Sequence, residues 1–385
     1  MTIRAPRPAP LRVTQLVLSD AYAGTEAHVL LLSRALRALN VDARLVCGSG
    51  NTVLIEGARA HGVPVATLEL GRGNLPVDWR EATRAVVGWG PQLVHAHLGN
   101  SLLCGSLLAA PSRRPLVYTQ HFVRPAYRDA RGPQAALRGL AHRAIQSRVA
   151  AGLAATASIQ REMIAHEGFA ATRTHVVPLG IDGEAAVAQV WQVGRNLHAD
   201  LGLPDGATLV VTPARLEESK GHEVLLAAMP EVLHRYPHTY LLLAGTGALE
   251  PRLRAMVRAG DERMRAQVRF LGFRRDVPRL LGAAAVCVLP SDKEGFGLVL
   301  LEAMAAGIAT VACDAGGPGE IVVDGETGLL VPPGQPEAMA VAIVALLDDP
   351  MRARAMGAAG ARRVAAHFTM QAMAEHTVAV YRLLG

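Results

Sequence analysis

The chain has 385 residues, half of them apolar, with a formal net charge of +6. That length exceeds one ordinary core and points to about two domains. No apolar run approaches the ~20 residues a bilayer span needs, and the N-terminal MTIRAPRPAPLRV lacks a secretory pattern, so the sequence reads as soluble and cytoplasmic. Cys47, Cys104, Cys287 and Cys313 are scattered without CxxC spacing. They read as small core residues in a reducing compartment, neither metal ligands nor a disulfide framework.

Short β-branched runs alternate with helical patterns, as in βαβ units on a parallel sheet. The first half offers strands at 11–18, 42–48, 92–97, 115–121, 151–157 and 174–180. Within it, VHAH carries His95 and His97, whose spacing could suit a metal pair. No third ligand or DxD lies near them in sequence, so no metal is expected. Between Ser112 and Arg148, Arg113, Arg114, Arg124, Arg128, Arg131, Arg138, Arg143 and Arg148 face only Asp129, a local charge of +7. This segment suits an anionic membrane lipid or lipid phosphate ahead of nucleic acid, and a solvated arginine face would look the same.

The segment 182–204 lacks a strand signal and reads as a linker. A second alternating series follows, with strands at 207–214, 239–245, 267–272, 285–290, 309–313 and 328–332 and helices to the end. The expectation is an α/β chain of two doubly wound, Rossmann-like domains, 1–185 and 200–366, facing a cleft. Ligands of such sheets lie beyond the carboxyl ends of the strands, so the chemistry should follow strands directly.

In the second series, ARLEESKGHEVLLAAM follows the first strand. Ser219 is a plausible N-cap there and Lys220 falls in the first helical turn. A cation at that end opposes the helix dipole unless an anion sits in front of it. Arg215 would converge on the same point, so the two suggest a diphosphate; two surface cations would also satisfy the pattern. They stand out less by position than by type, because Lys220 and Lys293 are the only lysines among 39 basic residues. Gly245-Thr246-Gly247 resembles a dinucleotide turn, but Glu250 replaces the third glycine and no acid follows at the right distance, so a tight turn suffices.

The stretch KEGFGLVLLEAMAAG places Glu294 before a Gly-Phe-Gly turn and Glu302 inside an apolar helix that ends at Gly307. Glycines at the helix entrance let backbone N–H groups approach an anion. Glu302, about 8 Å along the axis, leans back toward the same end. The two carboxylates can therefore flank one elongated ligand, binding hydroxyls while the phosphates sit at the glycines.

EGFGLVLLEAMAAGIATVACDAGGPGEIVVDGETGLLVPPG closely resembles the signature of GT-B fold retaining glycosyltransferases of family 4, the nucleotide-sugar-dependent group that includes bacterial polysaccharide and glycolipid enzymes. ARLEESKGHEVLLAA, LAGTGALEPRL, VRFLGFRRDVPRLL, VHAHLGNS, VYTQHF and VVPLGID extend the resemblance over nearly the whole chain. The pattern departs from the family at Ala23-Gly24, often two glycines, and at Leu179, often asparagine.

The resemblance implies that Arg215 and Lys220 bind the donor diphosphate, Glu294 the transferred sugar and Glu302 the ribose. It implies that Phe296, Gly297 and Leu298 offer amides, that Gly272 and Phe273 line the base pocket, that Gly24 lies near the donor phosphate, and that His121 faces the sugar. It further implies that the C-terminal helix, 369–385, packs back on the first domain, and that no metal or other cofactor is needed. The expected activity is transfer from a UDP-sugar, ahead of GDP-mannose, to a polysaccharide or lipid-linked acceptor hydroxyl. Cell-surface polysaccharide, lipopolysaccharide or glycolipid synthesis, peripheral to the inner membrane face, would be the setting, without nucleic acid. A GT-B nucleotide-sugar epimerase and an inactive basic membrane-binding protein are the rival readings.

Overall fold

A computed structural model describes residues 9–122, 144–183 and 197–384. The chain divides into two compact units, Met1–Pro178 with Met370–Gly385, and Leu179–Thr369. Among the described residues no helix is long and apolar enough to cross a membrane.

The first unit is built on a parallel sheet of seven strands: β1 (Leu11–Val17), β2 (Val41–Gly48), β3 (Val65–Leu68), β4 (Leu93–Ala96), β5 (Leu116–Gln120), β6 (Val149–Ala154) and β7 (Thr174–Val176). Their order is β3-β2-β1-β4-β5-β6-β7. Six of the seven match the strands expected from periodicity. The exception, β3, is a four-residue edge strand with three half-buried residues, so its apolar signal is weak. Central strands such as β5 are buried at every position, which is why they read as continuous apolar runs.

The second unit carries β8 (Thr208–Pro213), β9 (Thr239–Ala244), β10 (Val268–Gly272), β11 (Val286–Leu289), β12 (Ala309–Cys313) and β13 (Leu329–Val331), in the order β10-β9-β8-β11-β12-β13. All six strands were legible in the sequence. Val210, Leu241, Val286 and Val311 from the sheet pack with Leu225, Met229, Met339 and Ile343 from its helices into one core. Connections run to opposite sides of β1 and of β8, so the strand order reverses between β1 and β4 and between β8 and β11. Those reversals open crevices at the strand ends, where side chains from two loops can meet.

Helix Met370–Arg382 belongs to the first unit, where Tyr381 is 1% exposed and its hydroxyl accepts from Gln15 Nε2 at 2.9 Å. The four cysteines are unpaired and buried, and burial pushes each thiol up to about 12, so all four stay protonated in the core. Much of the expected linker, 184–196, lies outside the described residues.

Candidate active site

The reversal between β8 and β11 brings together residues far apart in sequence. β8 runs into a loop carrying Arg215, and a single 3-10 turn, Glu218–Lys220, follows. Helix His222–Arg235 starts only after Gly221, so Ser219 does not cap it and Lys220 precedes it. The cause is local. Gly221 holds φ +64°, and a Cβ there would lie 1.8 Å from the Pro290 carbonyl oxygen, at the end of β11. Only glycine permits that approach. Asp292 N–H donates to the Ser219 carbonyl at 3.1 Å, sealing the β8 loop against the β11 loop.

Across that seam Lys220 Nζ donates to Glu294 Oε2 at 2.6 Å, with side chains 17% and 12% exposed. Ser291 Oγ donates to the same carboxylate oxygen at 3.2 Å. The Glu294 turn is backed by 314–317: Glu294 N–H donates to the Ala315 carbonyl, and Gly317 N–H to the Glu294 carbonyl. A Cβ on Gly317 would meet Gly295 O at 2.5 Å, which accounts for that glycine of DAGGPG.

Gly297, at φ +98°, turns the chain into helix Leu298–Ala305. Leu298 opens that helix, and Phe296 is buried edge-on against Phe368 at 6.1 Å between ring centroids. Glu302 is the fifth helical residue, as the sequence suggested. Desolvation pushes its carboxyl up to about 7. Near neutral pH it is thus divided between a form that donates a proton to a hydroxyl and one that only accepts.

Arg215 lies apart from this pair in the present side-chain arrangement. Its guanidinium is exposed and holds Glu217 at 2.6 Å. Its loop, however, is fixed. A Cβ on Gly245 would lie 2.0 Å from Ala214 O, and one on Gly247 2.3 Å from Leu216 O. Both glycines serve close backbone packing under the Arg215 loop, and Gly247 also opens the tight turn expected from the sequence, its carbonyl accepting from Glu250 N–H at 3.2 Å. Gly272 ends β10 at φ +66°, and Phe273 beside it is 57% exposed.

In the first unit, Gly24 starts helix Gly24–Ala38 after β1, and Glu26 Oε2 accepts from Ala23 N–H at 2.9 Å. His121 follows β5 and is 8% exposed; its Nε2 lies 3.4 Å from His97 Nδ1. His95 is fully engaged, with Nδ1 2.6 Å from Tyr381 OH and Nε2 2.7 Å from Thr119 Oγ1. The sequence offered no third ligand beside His95 and His97, but the fold brings one in: His28, from helix Gly24–Ala38, joins His97 and His121. Its position one and two turns before Leu32 and Leu36, on the buried face, was the available signal. Ser291 was likewise not singled out, although a hydroxyl three residues before Glu294 is well placed to reach it.

Of the arginine-rich segment, Arg124, Arg128, Arg131, Arg138 and Arg143 lie outside the described residues. Arg113 and Arg148 are exposed and Arg114 is half-buried.

Residues 22–185 match Glycosyltransferase Family 4, and residues 207–349 match Glycosyl transferases group 1. The chain is 31% identical to a D-inositol 3-phosphate glycosyltransferase of Kineococcus radiotolerans, over 85% of this chain and 78% of that protein. It is 29% identical to an alpha-maltose-1-phosphate synthase of Mycolicibacterium smegmatis, over 94% of this chain and 96% of that protein. Against a GDP-mannose-dependent phosphatidylinositol monomannoside mannosyltransferase of Corynebacterium glutamicum it is 32% identical, but spans only 53% of that protein. The fold is similar to Anabaena HepE in complex with UDP and glucose, with TM-score 0.83 and 22% identity over 97% of this chain and 100% of that one. These likenesses fix the two sheets as a GT-B fold.

Proposed function

The chain belongs to glycosyltransferase family 4 and is a glycosyltransferase, and from that premise we propose that it transfers sugar from a nucleotide diphosphate sugar to an acceptor hydroxyl with retention of configuration. The observation that carries this reading is the Lys220–Glu294 pair at 2.6 Å, one helix entrance away from Glu302. A diphosphate sugar would divide such a pair. Its phosphates take the ammonium, together with the N–H groups at the start of helix Leu298–Ala305, and its sugar hydroxyls take the Glu294 carboxylate. Glu302, deeper in the helix, accepts from the ribose. Arg215 swings from Glu217 to the leaving phosphate; its exposure leaves it free to turn.

In the reaction the acceptor oxygen bonds to the anomeric carbon as the bond from that carbon to the phosphate oxygen breaks. The acceptor's proton passes to the departing phosphate. Fixed cations and amides stabilise the charge that builds on that oxygen, and removal of one such donor costs about 10²–10³ in kcat. A UDP-sugar is favoured over GDP-mannose. The arginine-rich segment suits an anionic, lipid-linked acceptor, and glycolipid synthesis is the corresponding setting.

Incubation with UDP- and GDP-sugars and with lipid-linked or soluble acceptors, followed by NMR of the product, tests the proposal. The anomeric configuration should be retained, and Lys220→Ala and Glu294→Ala should each lower kcat/KM by roughly 10²-fold or more. An inverted product removes the retaining mechanism. Unchanged turnover in both variants removes the site, and a sugar altered without any acceptor identifies an epimerase.

A further inference from the structure

Four histidines converge at the reversal between β1 and β4, and hydrogen bonding separates them into two kinds. Gln15 Nε2 donates to Tyr381 OH at 2.9 Å, so the Tyr381 hydroxyl is directed to His95 Nδ1 at 2.6 Å. His95 Nε2–H then donates to Thr119 Oγ1, and both of its nitrogens are used. The other end of the same amide, Gln15 Oε1, receives His97 Nε2–H at 2.6 Å. That fixes the tautomer: His97 Nδ1 carries a lone pair and faces His121 Nε2 at 3.4 Å.

His28 completes the group. Its ring is 2% exposed, and neither nitrogen has a hydrogen-bond partner among the described residues. Its centroid lies 4.9 Å from that of His121 and 5.7 Å from that of His97. One ring nitrogen from each of His28, His97 and His121 lies within 4.8 Å of the others. Burial holds all three imidazoles neutral, with lone pairs available.

We propose that His28, His97 and His121 bind one divalent metal ion of the zinc class. Zinc–imidazole bonds of about 2.0–2.1 Å in a tetrahedral arrangement put neighbouring ligand nitrogens roughly 3.3 Å apart. The His97–His121 separation of 3.4 Å already has that value. His28 offers a ring nitrogen within 4.8 Å of the other two, and binding would draw it in to the same spacing. Three neutral imidazoles with no carboxylate select borderline ions such as zinc, cobalt and nickel over magnesium or calcium. Gln15 takes the part of an outer-sphere acceptor, holding His97 in the metal-binding tautomer as such partners do. The ion would tie helix Gly24–Ala38 to the ends of β4 and β5, and would give His28 the partner it lacks. This goes beyond the proposed transfer reaction, which routes no step through a metal.

The test uses untagged, full-length protein stripped with a chelator and titrated with Co²⁺, then with Zn²⁺. One equivalent of Co²⁺ should bind with the intense visible absorption of a tetrahedral site, and Zn²⁺ should displace it. His28→Gln and His121→Gln should each weaken binding by about 100-fold or more, with far-UV circular dichroism verifying the fold. A variant that fails to fold leaves the wild-type titration to decide. Absence of stoichiometric binding at micromolar metal overturns the proposal, as does a weak octahedral spectrum. Wild-type affinity in both folded variants overturns the ligand assignment. None of these readouts depends on transferase activity, so failure here and failure of the proposed reaction are distinguishable.

Discussion

At the scale of single residues, Glu302 makes stability depend on pH. Its carboxyl is raised from 4.5 to about 7 by desolvation in a half-buried position on helix Leu298–Ala305. Between those values the unfolded chain has released the proton and the folded chain has kept it. Stability therefore falls as pH rises from 4.5 to 7, and the full cost is present above 7. At ~1.4 kcal/mol per pH unit the cost is roughly 3 kcal/mol. Glu302→Gln keeps the shape and removes the charge. Its melting temperature should match wild type near pH 4.5 and exceed it at pH 8, while nucleotide affinity falls. Equal melting curves at pH 8 would show that the carboxyl is not held up by burial.

At the scale of elements, the β8 and β11 loops are joined by Gly221. A methyl group there would collide with the Pro290 carbonyl at 1.8 Å in a backbone conformation at φ +64° that L-residues resist. Gly221→Ala should cost about 3 kcal/mol or more in denaturant unfolding and lower kcat/KM, because Lys220 then loses its place beside Glu294. An alanine variant with wild-type stability would mean that the seam adjusts freely. This contact also marks the limit of what the sequence makes legible. Buried parallel strands announce themselves through continuous apolar runs, and Lys220, Glu294 and Glu302 stood out by residue type and spacing. The half-exposed edge strand β3 did not, since its alternation spans four residues. Nor did the packing role of Gly245 and Gly247, because backbone approach to Ala214 and Leu216 is a tertiary fact with no local pattern. His28 escaped for the same reason: its partners come from other strands.

At the scale of the molecule, the first unit is assembled from both ends of the chain, with the whole of Leu179–Thr369 between them. Its last helix is held by apolar burial of Met373, Ala374 and Val378 and by a polar anchor, Tyr381. That hydroxyl serves both Gln15 and His95, so its loss leaves two buried groups short of a partner. An unsatisfied buried group costs about 1–3 kcal/mol. In a unit of this size each kcal/mol lowers the melting temperature by about 2–4 °C. Tyr381→Phe should therefore lower the transition of the first unit by roughly 4–24 °C, at nearly constant apolar burial. Calorimetry with and without UDP assigns the transitions, since a nucleotide held by residues of the second unit raises only the transition of that unit. A Tyr381→Phe chain whose UDP-sensitive transition falls instead, or whose two transitions both stay in place, would show that this hydroxyl does not anchor the helix. The expected result separates the two roles: the end of the chain closes the first unit, and the Lys220–Glu294–Glu302 group stands on the second.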